Sequence, residues 1–259
     1  MLNRISLASI AAAGVAAQYG TNLGGQDWDN STEALMYRKW MDAIQGWGYD
    51  NFEAHEIKTD DGFMLTVFRV LPKDRPFEYG VPSEKNPILF VPPMTGVGHE
   101  WIKGYHYDYV EGNEPMPFQL LERGGHDVWF LYQRAKKYCR RHEEYEVDSP
   151  EYWDFSFEEV GTYDLAAVTK FIYERSNMKV GMIGYSQGTT DIFAGLALRY
   201  DIFEDITFKV AQMAPCTVRV MEDYGLPKFA WQALWELGVL EIGGPTWDET
   251  RAMLEPWMP

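Results

Sequence analysis

The sequence predicts a mostly parallel α/β sheet with helices on both faces. Three observations point to it. Short, largely apolar runs at residues 88–91, 127–132, 179–183 and 208–214 read as strands buried on both faces, which is where parallel strands lie. Stretches of helical periodicity alternate with them, as a strand–helix–strand path requires. The run at 179–183 also leads straight into Gly184-Tyr185-Ser186-Gln187-Gly188 and then into a helical pattern. A serine between two glycines at a strand-to-helix turn has the context of a nucleophile elbow. A Cβ at either flank of so sharp a turn would meet backbone, so glycine is needed there. The turn would hold the serine on a strained tip beside the positive end of a helix.

Taken in order, residues 18–31 are rich in Gly, Asn, Asp and Gln and read as a loose lead-in. Residues 32–47 place Leu35, Met36, Trp40, Met41 and Ile44 at helical spacing, with Ser31 or Thr32 as N-cap. A hairpin follows: 52–58, the turn Thr59-Asp60-Asp61-Gly62, and 63–71 closed by Pro72. Residues 72–87 read as a loop. The strand 88–91 runs into Pro92-Pro93-Met94-Thr95-Gly96, and 118–122 ends a helix capped by Gly124 and Gly125. The basic cluster 134–142 is expected to pair with the acidic stretch 143–151. Residues 157–174 carry a helical period through Val160, Tyr163, Leu165, Val168 and Ile172. Asp191, on the elbow helix, is expected to face solvent. Ligand sites in such sheets gather at the carboxyl ends of the strands, where Ser186 and the loop 92–96 both fall.

With 259 residues, 46% of them hydrophobic, the chain can bury one sizeable core. Its net charge of −16 argues against nucleic acid as a partner, because phosphates need a basic patch. Residues 1–17 carry Arg4, an apolar run too short to cross a bilayer, and Val15 and Ala17 at the small-residue positions. They read as a secretory signal peptide cut after Ala17; a buried N-terminal helix is the alternative. No later stretch has the length of a transmembrane segment. If the chain is exported, Asn30-Ser31-Thr32 is a glycosylation sequon at Asn30. Cys139 and Cys216 are too few and too far apart for a disulfide framework or a metal site; one bridge or two free thiols remain open, the latter preferred. No metal spacing, Walker loop or dinucleotide pattern appears, so no cofactor is expected.

Several stretches resemble one family, the acid lipases, the group of gastric and lysosomal acid lipase. They are Gly48-Tyr49, Thr59 to Gly62, Gly125-His126-Asp127-Val128-Trp129, Arg140-Arg141-His142, Ser149 through Phe157, Tyr163-Asp164-Leu165, Gly184 through Thr189, and Ala214-Pro215. They keep the family's order from residue 46 to about 220. The resemblance implies an α/β-hydrolase fold for 46–220, after the signal peptide 1–17 and a lead-in with helix at 18–45, and before the start of a cap at 221–259. It implies a secreted or lysosomal lumenal enzyme working on neutral lipid esters at a lipid–water interface. Ser186 would attack the ester carbonyl, and the backbone N–H groups of Gln187 and Met94 would hold the oxyanion. Met94 enters because Pro92 and Pro93, which stand where the family has His-Gly, have no N–H.

The resemblance also marks a departure. The family's order is Ser, then Asp, then His. All five histidines here, His55, His99, His106, His126 and His142, precede Ser186. The matching sequence is therefore expected to be C-terminally incomplete, without the last two strands and most of the cap. Among the histidines, only His99 is placed to replace the base; His126 begins a strand at the opposite end of the sheet, and His55, His106 and His142 read as surface or loop residues. Three readings follow: an incomplete form of an active lipase, a catalytically inactive hydrolase-fold module binding lipid or protein, or an esterase with a rearranged triad.

Overall fold

In the computed structural model the described residues are 32–50, 52–73, 85–94, 96–102 and 114–216. Residues 1–17, expected to be a signal peptide, the expected glycosylation site Asn30, His106 and the region 221–259 lie outside them. The chain divides into two units, one of Met1–Glu144 with Phe155–Cys216 and one of Tyr145–Asp154 with Thr217–Pro259.

The first unit is built on one sheet. Strands β1 (Phe52–Lys58), β2 (Phe63–Val70), β3 (Lys85–Val91), β4 (His126–Leu131), β6 (Val180–Tyr185) and β7 (Thr207–Met213) lie in the order β1-β2-β4-β3-β6-β7, and the two-residue β5 (Arg141–His142) pairs with β2. The hairpin β1–β2 and the pair β2–β4 are antiparallel, and β4, β3, β6 and β7 run parallel. The helices are α1 (Thr32–Gln45), α2 (Met116–Glu122), α3 (Leu165–Ser176), α4 (Gln187–Leu198) and α5 (Tyr200–Ile206). This is an α/β-hydrolase sheet: an antiparallel hairpin leads into parallel strands, and a serine sits at the exit of β6, between β3 and β7.

The apolar runs of β3, β4 and β6 are buried because both faces of the sheet are covered there. The run at 208–214, expected to be buried on both faces, is not, because β7 ends the strand order among the described residues and leaves Phe208 and Met213 exposed. Leu89, Phe90, Val91, Val128, Phe130 and Leu131 are all sealed from solvent. Trp40 of α1 stacks on Phe68 of β2 at 4.6 Å and meets Phe130 of β4 edge-on at 5.0 Å. Fully burying side chains of this size contributes about 1.5–3 kcal/mol each. The strand expected at 88–91 starts earlier, at Lys85, and includes Pro87. The helix expected to reach residue 47 stops at Gln45, where Gly46, Trp47 and Gly48 turn back on its last carbonyls. Helix α5 carries too short a period to show in the sequence.

Three expectations are corrected. His55 is not a surface residue: it lies in β1, 8% exposed, between the rings of Trp129 and Phe171, with Nε2 2.9 Å from Glu53. Arg134 finds its carboxylates at Asp61 and Asp164, and Arg141 finds Glu56, rather than the stretch 143–151. Asp191 is buried, 0% exposed, instead of facing solvent. The rings that enclose His55, the carboxylates that hold Arg134 and Arg141, and the Gln133 amide on Asp191 are all remote in sequence, so composition along the chain could not reveal them.

In the second unit, Pro150–Trp153 forms a 3-10 turn whose N-cap Ser149 accepts from the Tyr152 N–H at 3.3 Å. The Trp153 indole donates to the Val147 carbonyl at 2.7 Å.

Candidate functional site

Strand β6 ends at Tyr185 and helix α4 begins at Gln187, so Ser186 takes the whole change of direction. Its backbone sits at φ 51, ψ −119, a region that L residues rarely occupy and that costs about 1–3 kcal/mol. The surroundings hold it there. The Ser186 N–H donates to the Met213 carbonyl of β7 at 3.1 Å. Its carbonyl accepts from the Thr189 hydroxyl at 2.5 Å and from the Thr189 N–H at 3.0 Å.

Both flanking glycines are required by close approach. A Cβ on Gly188 would lie 2.5 Å from the Val91 carbonyl oxygen and 2.7 Å from that of Pro92. One on Gly184 would meet the Gly188 carbonyl oxygen at 2.9 Å and the Ile192 side chain at 2.8 Å. The first turn of α4 therefore rests directly on the end of β3. That contact sets the start of the loop after β3, at Val91 and Pro92, against the first turn of α4. Gln187 is the first residue of α4, and first-turn N–H groups have no partner within the helix. The helix dipole adds positive potential at the same point. Met94 is 38% exposed in a turn closed by the Gly96 N–H donating to the Pro93 carbonyl at 3.0 Å. Its own carbonyl accepts from the Lys136 ammonium.

The side chain of Ser186 meets Cys216, Oγ to Sγ 3.8 Å. No local pattern marks this neighbour, which is thirty positions away along the chain. Cys216 is strapped across the start of α4: its N–H donates to the Thr189 hydroxyl at 2.9 Å, and the Thr190 hydroxyl donates to its carbonyl. Both cysteines are free thiols. Burial pushes the Cys139 thiol up, far from reactivity.

The histidines are placed as follows. His99 sits in the 3-10 turn Gly98–Trp101, with Nδ1 2.7 Å from the Tyr132 hydroxyl. His126 opens β4, at the opposite end of the sheet from Ser186, with Nδ1 2.9 Å from the Asn86 carbonyl oxygen. His142 meets the Asp61 carbonyl at 2.8 Å. Among the described residues, none of these rings hydrogen-bonds to Ser186. Nor is any group of three or more His, Cys, Asp or Glu among the described residues disposed to hold a metal ion. No helix among them is long and apolar enough to cross a membrane.

Sheet order and elbow together define the class, an α/β-hydrolase. No protein-family model matches the chain. Among curated proteins it is 32% identical to human gastric triacylglycerol lipase over 189 residues, 70% of this chain and 43% of that protein. It is 31% identical to human lipase member K over 180 residues, 68% of this chain and 42% of that protein. A probable lipase of Schizosaccharomyces pombe is 27% identical over 191 residues, 72% of this chain and 39% of that protein. The chain carries the N-terminal part of an acid-lipase-like sequence and spans about 40% of the length of these relatives. Solved structures with a partial likeness include a Pyrococcus furiosus esterase (17% identity, 76% of this chain, 63% of that one, TM-score 0.46). A naproxen esterase from Bacillus subtilis is another (14% identity, 79% and 56%, TM-score 0.44).

Proposed function

We propose that this protein hydrolyses neutral lipid esters, acylglycerols or sterol esters, through an acyl-enzyme on Ser186. The observation that carries the reading is the Ser186 backbone at φ 51, ψ −119 between β6 and α4, since strain of this kind persists where it presents a reactive group. The Ser186 hydroxyl oxygen attacks the ester carbonyl carbon and gives its proton to a general base. The oxyanion is held by the N–H groups of Gln187 and Met94. The C–O bond then breaks, the alcohol leaves with the proton, and water releases the fatty acid from Ser186. Apolar side chains beside the serine suit such a substrate: Tyr185 is 44% exposed, Met213 43% and Met94 38%. They also suit contact with a lipid–water interface.

In this reading the triad histidine and acid come from sequence beyond Pro259, and residues 1–17 direct the protein to a secreted or lysosomal compartment with Asn30 glycosylated. The core experiment is fluorophosphonate labelling of the native full-length protein. Labelling confined to Ser186, lost with esterase activity in Ser186→Ala, is the expected result. A folded protein that takes no label would support an inactive lipid- or protein-binding module. Activity abolished in His99→Ala would point to the rearranged triad. Reading the transcript past codon 259 for an in-frame Asp and His tests the origin of the base. N-terminal sequencing for Gln18, and a mass shift on deglycosylation, test the export reading.

A further inference from the structure

We propose that Gln133 and Asp191 are a positioning pair that fixes the loop after β3 against the elbow helix, and so sets the spacing of the two N–H groups offered to the oxyanion. The inference rests on the acyl-transfer reading above and adds to it two residues that touch no substrate. Gln133 follows β4 and is 2% exposed; Asp191 lies in α4, five residues after Ser186, and is 0% exposed. The Gln133 amide nitrogen donates to the Asp191 carboxylate at 2.6 Å and reaches the Pro92 carbonyl at a longer 3.5 Å. Its two N–H bonds thus face both bodies that must be held together: α4, whose first residue is Gln187, and the loop that carries Met94.

The rest of the segment after β4 acts on the same loop. The Tyr132 hydroxyl accepts from the His99 N–H at 3.3 Å and the Lys136 ammonium donates to the Met94 carbonyl. The segment itself is anchored from below by Arg134, whose guanidinium is held by Asp61 and Asp164. Packing alone would not call for this chemistry. Position 191 is on the buried face of a helix next to Ile192, where an aliphatic side chain would fill the space without the cost of desolvating a carboxylate. A short charge-assisted bond has fixed length and direction, and oxyanion donors must be fixed in those same respects.

The test uses the native full-length protein and the rate of fluorophosphonate labelling at Ser186, with thermal unfolding alongside. The paired replacement Gln133→Leu with Asp191→Leu removes the bond together with both buried polar side chains that make it. It is expected to melt within a few degrees of the parent yet label about tenfold or more slowly. Asp191→Asn, whose amide oxygen still accepts from Gln133, should label within about threefold of the parent. A purely structural pair would move the melting temperature and not the rate per folded molecule. If the paired replacement labels at the parental rate, the positioning role is overturned. Should it not fold, Gln133→Met decides on the same readouts, and an unchanged rate overturns the role. An unaltered protein that folds and takes no label overturns the acyl-transfer reading, and the pair's role with it.

Discussion

Ser186 shows how one residue can be held against its own preference. Its positive φ is maintained by the Met213 carbonyl on its N–H and by Thr189 on its carbonyl. Ser186→Gly relieves the strain but loosens the unfolded chain, so a net gain of about 1 kcal/mol in stability is expected, with all labelling lost. Thermal unfolding beside the labelling assay checks both halves; a destabilised Ser186→Gly would mean the turn is not strained. Gly188→Ala should do the reverse. Its methyl would lie 2.5 Å from the Val91 carbonyl oxygen, and backbone has to move to admit it. A loss of about 1–3 kcal/mol is expected, together with slower labelling as β3 and α4 separate.

Among elements, α4 depends on the helical segment that crosses it. A short turn, Phe157–Glu159, passes through a π-helical turn, Val160–Asp164, into α3. The wider turn puts two residues to use at once. Gly161 lies against α4, where a Cβ would fall 2.5 Å from the Asp191 carbonyl oxygen and 2.7 Å from the Gly195 nitrogen. Asp164 reaches the Arg134 guanidinium at 2.7 Å and accepts the Arg134 N–H at 2.8 Å. Burial works against the charge on Arg134, but Asp164 and Asp61 outweigh it and hold the guanidinium above its ordinary range. The ring of Phe63 lies 4.3 Å from its centre. Arg134→Met would leave Asp164, 0% exposed, as a buried carboxylate without its cation. A loss of about 3–5 kcal/mol in urea unfolding is expected. Arg134→Lys should recover only part of it, because an ammonium cannot span both carboxylates as the planar fork does.

Across the whole molecule, the hairpin side of the sheet holds a second buried charge network, away from the elbow. Arg69 bridges Glu53 at 3.0 Å and Asp127 at 2.7 Å, and Arg175 approaches Glu53 at 3.4 Å. His55 is part of it. Burial lowers its pKa below the ordinary 6.5; Glu53 opposes the shift, and Arg175 and Arg69 add to it. The unfolded chain therefore takes up this proton before the folded one does. Its contribution to stability is complete above about pH 6.5 and is lost as pH falls from there toward the folded value. The slope from one such group is at most about 1.4 kcal/mol per pH unit. Melting temperatures of the parent and His55→Gln between pH 5 and 8 should converge on the acid side, and parallel curves would exclude His55 as the source.

Residue types and local order alone determined the strand runs, the hairpin at Thr59–Gly62, the helix period and the turn at Ser186, because each is written in neighbours a few positions apart. The acid-lipase motifs added the class. Only the tertiary structure decided which charges meet. Arg134 with Asp61 and Asp164, Gln133 with Asp191, Arg69 with Glu53 and Asp127, and Ser186 with Cys216 join residues 16 to 73 positions apart. Buried polar groups must find partners or pay for desolvation, but a linear sequence does not say which partner the sheet order brings within reach. That order, with β4 between β2 and β3 and β6 beyond β3, carries the loop after β3, the segment after β4 and the elbow to one end of the fold.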